Sequence, residues 1–470
     1  MSQPSPHRAF DRAIVDGPIV GAVWRLAWPS MLQNVIGGLQ GVVDHALVGR
    51  YVGYTGNAAI GVALQIFIVV IVFINSLFTG MSVLVARYAG AGDAEKVNRT
   101  VYQAFLASAV LCVGILAPLG WVLSPSLLTL VNAAPEVQSE ALPYLRIMFV
   151  FGFGMMLFFM IGAALRSAGD ARTPLRLGLT LTVLNVVLNV IFIRGLGPIP
   201  GFGTAGSAIG TAIASAIVSG IAIYLLFSGR LVVTWHHGMG WRPDWGIIRA
   251  LFRFGLPAGF QGIAMNVGGV LLLRFIGSLE HSAQAQAAYA VGYTELFSLV
   301  TWTSMGLMGA AATIAGQNLG AGRPERSLRG VKVAAGIGLG VAAVVGALFL
   351  TIPDRLLALF GMNDPITVGI GTQLLRFLSV SGLFIAVALT YTGGLQGTGD
   401  TRSPLYISLV AQIGVPLGLC AFLDATRGLG PADIWLAILL GHATRCALSV
   451  LRFHQGKWRA IRVDAEPSRT

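Results

Sequence analysis

Charge is scarce in this chain. Only 11% of its 470 residues are Asp, Glu, Lys or Arg, where a soluble domain carries about a quarter. With 55% hydrophobic residues and a mean hydropathy of +0.77, that scarcity excludes an ordinary soluble fold. Cysteine is scarcer still. Cys112, Cys420 and Cys446 all fall in apolar windows, which excludes both a disulfide framework and a zinc pattern and leaves them as small packing residues. No phosphate-binding loop, nucleophile elbow or zinc-protease helix occurs, so neither ATP nor enzymatic chemistry finds support and no metal or cofactor is expected. The residues before Val23 include Pro4, Pro6, Asp11, Arg12 and Asp16 and lack a signal peptide's apolar core, so the first apolar span is expected to stay. The apolar runs show no period-two alternation, which excludes a β-barrel.

What is present is a succession of nearly uncharged windows, each near or above the roughly 20 residues that a helix needs to cross a bilayer. They predict twelve spans: 23–48, 57–86, 101–122, 144–165, 173–193, 204–228, 249–277, 284–316, 330–352, 366–395, 403–423 and 431–453. The 61 glycines fit helices packed closely in lipid, where small residues let backbones approach. The reading is an all-α membrane protein divided into a segment 1–22, a six-helix lobe 23–228, a polar linker 229–248, a second six-helix lobe 249–453 and a basic tail 454–470. His236 and His237 in the linker are read as solvent-facing, not as metal ligands.

Net charge is +12, which in a soluble protein would suggest nucleic acid. Its distribution says otherwise. Alternate connections and span ends collect Arg8, Arg12 and Arg25; Arg87, Lys96 and Arg99; Arg166, Arg172 and Arg176; Arg230, Arg242, Arg249 and Arg253; Arg323, Arg326, Arg329 and Lys332; Arg402; and a C-terminal group from Arg445 through Arg452 to Arg469. The opposite connections hold Arg50, Arg194, Arg355 and Arg427, with Arg146, Arg274 and Arg376 near helix ends. This asymmetry places both termini in the cytoplasm.

The chain also repeats itself. Gly162 to Leu175 returns as Thr392 to Leu405, so that Gly169, Asp170, Arg172 and Pro174 map onto Gly399, Asp400, Arg402 and Pro404. Gly90-Ala91-Gly92 maps at the same spacing onto Gly320-Ala321-Gly322, and Arg146 onto Arg376, while Leu26-Ala27-Trp28-Pro29 with Gln33 resembles Gly255-Leu256-Pro257 with Gln261. The period is too long for a solenoid unit. Six spans per repeat make the repeats parallel, with an axis along the membrane normal.

These motifs, with Asp44 followed by Val48-Gly49-Arg50, Arg166 before Gly169-Asp170 and Thr173-Pro174, Gly203 to Ala208, and Gln317 to Gly322, resemble the MATE family of multidrug and toxic compound extrusion transporters from about Trp24 to Arg452. The resemblance implies two pseudo-symmetric six-helix bundles around a central cleft, rocking between inward- and outward-facing states. It implies an antiporter of the bacterial cytoplasmic membrane that exports amphipathic, often cationic, organic compounds in exchange for protons or sodium ions. A small organic substrate and the lipid bilayer are then the expected partners, with no nucleic acid and no obligate protein partner, and a monomer is expected.

An ionisable side chain deep in a span costs at least about 2.5 kcal/mol at the helix centre and is a functional candidate for that reason. Asp44 lies in an otherwise apolar stretch, Gly41-Val42-Val43 before it and Ala46-Leu47-Val48 after. Buried there, its carboxyl is suited to taking up and releasing a proton. The alternative is a structural Asp satisfied by Asn or Thr neighbours. The resemblance agrees with coupling, since this is the position of the family's N-terminal cation-binding acid. Asn185 and Asn189, four apart, share a helical face and could bond Asp44 or a cation, with Thr211 a further member; each could equally be interhelical glue. Glu295 reads as a second buried acid, with Asn266 as a possible companion, in either a transport or a structural role. NorM-like members carry acids in the seventh and tenth spans. Here the seventh has Asn266 and the tenth has none, so the pattern resembles the DinF-like branch and favours protons.

The fourth span is crowded with Phe and Met, among them Met155, Phe158 and Phe159, which would suit a cleft accepting many hydrophobic shapes or a lipid-facing or core stripe. The reading as a whole is a proton-coupled efflux antiporter. Sodium coupling on the same fold and a lipid-linked precursor flippase of the wider superfamily are its rivals. A polytopic membrane enzyme would need clustered His, Asp or Ser at a membrane face, and only Asp44-His45 comes close.

Overall fold

The computed structural model describes residues 10–236 and 238–463. Arg8, Arg469 and His237 lie outside the described residues. The chain is helical almost throughout, and each predicted span falls within one long helix to within a residue. These are α1 (Ile19–Tyr51), α2 (Tyr54–Ala91), α3 (Ala94–Leu130), α4 (Pro135–Phe151 continued by Phe153–Ser167 across a 51° bend), α5 (Arg172–Arg194) and α6 (Thr204–Phe227). In the second half they are α7 (Trp245–Gly277), α8 (Ser282–Gly320), α9 (Pro324–Thr351), α10 (Pro365–Thr398), α11 (Arg402–Arg427) and α12 (Pro431–His454). The helices overrun the apolar windows because their polar end turns continue the backbone hydrogen-bond ladder where hydropathy has faded. Ten of them, or eleven with the bent α4, are long and apolar enough to cross a bilayer. The remaining one, α1, is 33 residues long but carries Arg25, Gln33, Asn34, Gln40, Asp44 and His45. Among the twelve it is the helix least suited to lipid on all sides.

Helix ends repeat as the sequence does. Gly92 and Gly322 both close their helices with positive φ, 78° and 73°, and Gly169 and Gly399 do the same at 103° and 95°. That conformation costs glycine nothing and strains any residue with a Cβ. Asp170 then accepts from the backbone N–H groups of Arg172 and Thr173 and from the Thr173 hydroxyl, while Asp400 accepts from the N–H and hydroxyl of Ser403. Each aspartate satisfies donors at the start of the following helix. Arg146 and Arg376 occupy the same place relative to the helix-opening Pro135 and Pro365.

The chain divides into two compact units. The first holds Val35–Leu256 and the second Arg12–Asn34 with Pro257–Arg462, so the divisions fall inside α1 and α7 and not in the connections between helices. Within the first unit α2 crosses the start of α7 so closely that a Cβ on Gly80 would overlap the Leu251 carbonyl and one on Gly255 the Ser76 carbonyl. The stretch joining α6 to α7 is docked: Leu231, Val233 and Trp235 are buried, and Arg99 of α3 holds Asp244 at 2.6 Å. In the second unit α10 is the most enclosed helix, and Gly393 and Gly397, one turn apart, abut the carbonyls of Met308 and Ala312 on α8. Small residues at this spacing let two backbones touch in lipid.

Candidate functional site

Asp44, the acid singled out from the sequence, sits in the last third of α1, within the first unit and half-buried. Asn185 and Asn189 stand one turn apart on α5, and both are 0% exposed. Asn189 donates through Nδ2 to Asp44 Oδ1 at 2.8 Å and to Asn185 Oδ1 at 3.2 Å. Asn185 in turn donates through Nδ2 to Thr211 Oγ1 on α6 at 2.9 Å. The four residues named from the sequence therefore form one hydrogen-bonded chain across α1, α5 and α6.

Two features of this chain were not legible in the sequence. Asn189 Oδ1 is buried without a partner, and it faces Gly210 of α6, where a Cβ would overlap it. The amide has spent both N–H groups and keeps an acceptor in a dry position, at a potential cost of about 1–3 kcal/mol for an unsatisfied buried polar atom. Around this core, Thr182 of α5 donates to Gln40 of α1 at 3.0 Å, the His45 ring meets Asn57 of α2 at 3.2 Å, and the buried Tyr144 of α4 lies within electrostatic reach of Asp44. Chemically, the cluster presents a carboxylate and neutral oxygens, a set suited to a proton or a hard cation. Among the described residues no group of three or more His, Cys, Asp or Glu could hold a metal ion.

Other expectations need correction. Glu295 is not buried: it is exposed, within the π-helical turn Ala290–Leu296 whose last residue, Leu296, is buried. Asn266 is exposed as well and donates to the Gly262 carbonyl of its own helix at 2.9 Å, and among the described residues no hydrogen bond joins it to Glu295. Phe158 is 6% exposed and packs in the core of its unit, which removes it from any ligand surface, whereas Phe159 is exposed and Met155 half-buried. Arg445, counted among the cytoplasmic charges, is buried inside α12 beside His442. Two ionisable residues three apart in the last apolar span were the signal that a count of loop charges overlooks.

Comparison with known proteins agrees with this architecture. The MatE family model matches the chain twice, over residues 29–191 and 257–421, each match opening at one of the paired prolines Pro29 and Pro257. The chain is 27% identical to the probable multidrug resistance protein NorM of Thermotoga maritima, over 92% of both chains. It is 28% identical to the multidrug resistance protein MdtK of Pectobacterium atrosepticum, over 91% of this chain and 93% of the other. A solved outward-facing multidrug resistance MATE family transporter of the MOP superfamily superposes with a TM-score of 0.88 at 21% identity, covering 98% of this chain and all of that one. These names lie nearer the NorM side than the DinF-like side that the missing C-terminal acid suggested. With the family pattern present once in each half, over five helices each time, the chain belongs to the MatE family of membrane transporters.

Proposed function

We propose that this protein is a secondary antiporter that exports amphipathic organic compounds, driven by inward movement of protons through Asp44. The observation that carries the reading is the hydrogen bond from Asn189 to Asp44 together with the idle acceptor on the same amide. An ionised carboxylate only accepts, and Asn189 Nδ2 supplies its donor. A protonated carboxyl also donates, and a turn of the Asn189 amide would bring its idle Oδ1 round as the acceptor. One side chain can thus accompany Asp44 through both protonation states, with Asn185 and Thr211 adjusting behind it. The curated relatives are named for multidrug resistance, which supports an efflux role. Alternating access of two six-helix lobes in the cytoplasmic membrane, with both termini inside, completes the proposal.

Sodium coupling is the second reading, favoured by the all-oxygen character of Asp44, Asn185, Asn189 and Thr211. Proteoliposomes loaded with a fluorescent amphipathic cation separate the two. A pH gradient alone should drive efflux, and Asp44→Asn should abolish it while the protein still inserts and keeps its thermal transition. Efflux that follows only a sodium gradient at constant pH would overturn proton coupling, and undiminished efflux in Asp44→Asn would remove Asp44 from the mechanism.

A further inference from the structure

We propose that the interior of the second unit holds a binding site for a small monovalent anion, with Arg445 as its principal ligand. His442, Arg445 and Ser449 follow one another on α12 at spacings of three and four, which places them on one helical face. They are 4%, 1% and 0% exposed. Nδ1 of His442, Nε and Nη1 of Arg445 and the Ser449 hydroxyl are all buried without a partner. No ion pair or hydrogen bond reaches the Arg445 guanidinium from any described residue. The contrast with Arg452, seven residues on, is direct: that side chain pairs with Asp400 at 2.8 Å and also bonds Gln455. The same unit thus supplies a carboxylate to one arginine of α12 and none to the other.

The surroundings are neutral and aromatic. Tyr293 of α8 lies within electrostatic reach of Arg445, and its ring stacks on the His442 ring at 6.4 Å. Phe297 stacks on His442 from 5.9 Å, and Tyr289 extends the array to Trp435. Glu295, the acid nearest in sequence to Tyr293, is exposed and makes no ion pair with Arg445. A guanidinium buried among rings with no counter-charge is a costly arrangement, and an anion is the group that would offset it. One permanent positive charge, flanked by hydroxyl and imidazole groups, matches a halide or a single carboxylate better than a phosphate. The anion could come from solution or be the carboxylate of an amphipathic substrate.

The test is binding by the purified full-length protein, which makes it independent of what is transported and which ion drives it. Thermal unfolding would be followed while chloride, acetate or benzoate replaces sulfate at constant ionic strength. The wild type should be stabilised saturably, and Arg445→Gln should weaken the apparent affinity roughly tenfold or more. Arg445→Lys should retain part of the response. Should Arg445→Gln not fold, Ser449→Ala and His442→Gln carry the test, each weakening the same response. Chloride as the tightest probe would identify an inorganic ion, and benzoate as the tightest a substrate carboxylate. A wild type that gives no saturable response, or variants that respond as the wild type does, would overturn the proposal.

Discussion

At the scale of single residues, the acid that was visible in the sequence depends on neighbours that were not. Asp44 stood out because a carboxyl in an apolar run is rare. That Asn189 bonds it, and that Asn189 keeps a free acceptor, depends on Gly210 lacking a side chain. Gly210→Ala should therefore displace the Asn189 amide and disturb Asp44 without touching it. The expected result is a fall in gradient-driven efflux together with a destabilisation of about 1–3 kcal/mol from overpacking. Efflux at the wild-type rate from a folded Gly210→Ala protein would show that the amide's position is unimportant. Asn185→Val removes the bond to Thr211 and the acceptor for Asn189; its effect should appear in the same assay and be smaller than that of Asp44→Asn. Glu295 shows the opposite failing of sequence reading. An acid inside an apolar window looks buried, yet a helix surface has two sides, and only the packing of α8 decides which side it takes.

At the scale of elements, the repeat fixes how helices begin and end but not how they bend. Asp170 and Asp400 cap equivalent helices, yet Arg452 Nη2 adds a part-buried ion pair to Asp400 alone. Asp170→Ala should cost about 1 kcal/mol, the value of a cap, and Asp400→Ala more, about 1.5–3 kcal/mol, because it also removes the charged hydrogen bonds of the part-buried Arg452. Thermal unfolding of the two variants side by side would measure the difference, and equal losses would mean that the ion pair adds nothing. A third cap lies outside the bilayer. Asp364 opens α10, and the hydroxyl and N–H of Thr367 hold its carboxyl below the usual carboxylate range. Its contribution is therefore fully present above that range and lost as the pH falls through the lowered value. The advantage of the wild type over Asp364→Ala in thermal stability should be constant near neutral pH and vanish in acid. The bend of α4 has no counterpart in α10, although Gly152 and Gly382 are equivalent in the repeat. Likewise the π-helical turns of α3, α8 and α11 do not fall at matching positions.

At the scale of the whole molecule, the charge asymmetry predicts which loops face the cytoplasm. Cys112 and Cys420 are buried and Cys446 is partly buried, so a cysteine-free background should be tolerated. In it, a cysteine replacing Gly240, between α6 and α7, should react only with reagents that reach the cytoplasm. One replacing Ala133, between α3 and α4, should react from outside. Labelling of both from the same side would break the topology. The sequence by itself determined the twelve helices, their order, their caps and the duplication, because these follow from local hydropathy, turn chemistry and residue spacing. Only the tertiary structure decided which polar groups meet. It joined Asp44 to Asn189 across 145 positions of chain, placed Arg445 among rings with no acid paired to it among the described residues, and left Glu295 exposed. The reason is physical. Hydropathy and spacing are properties of neighbours along the chain, whereas a hydrogen bond or an orphaned charge is a property of neighbours in space, set by how glycine-lined helices come together in lipid.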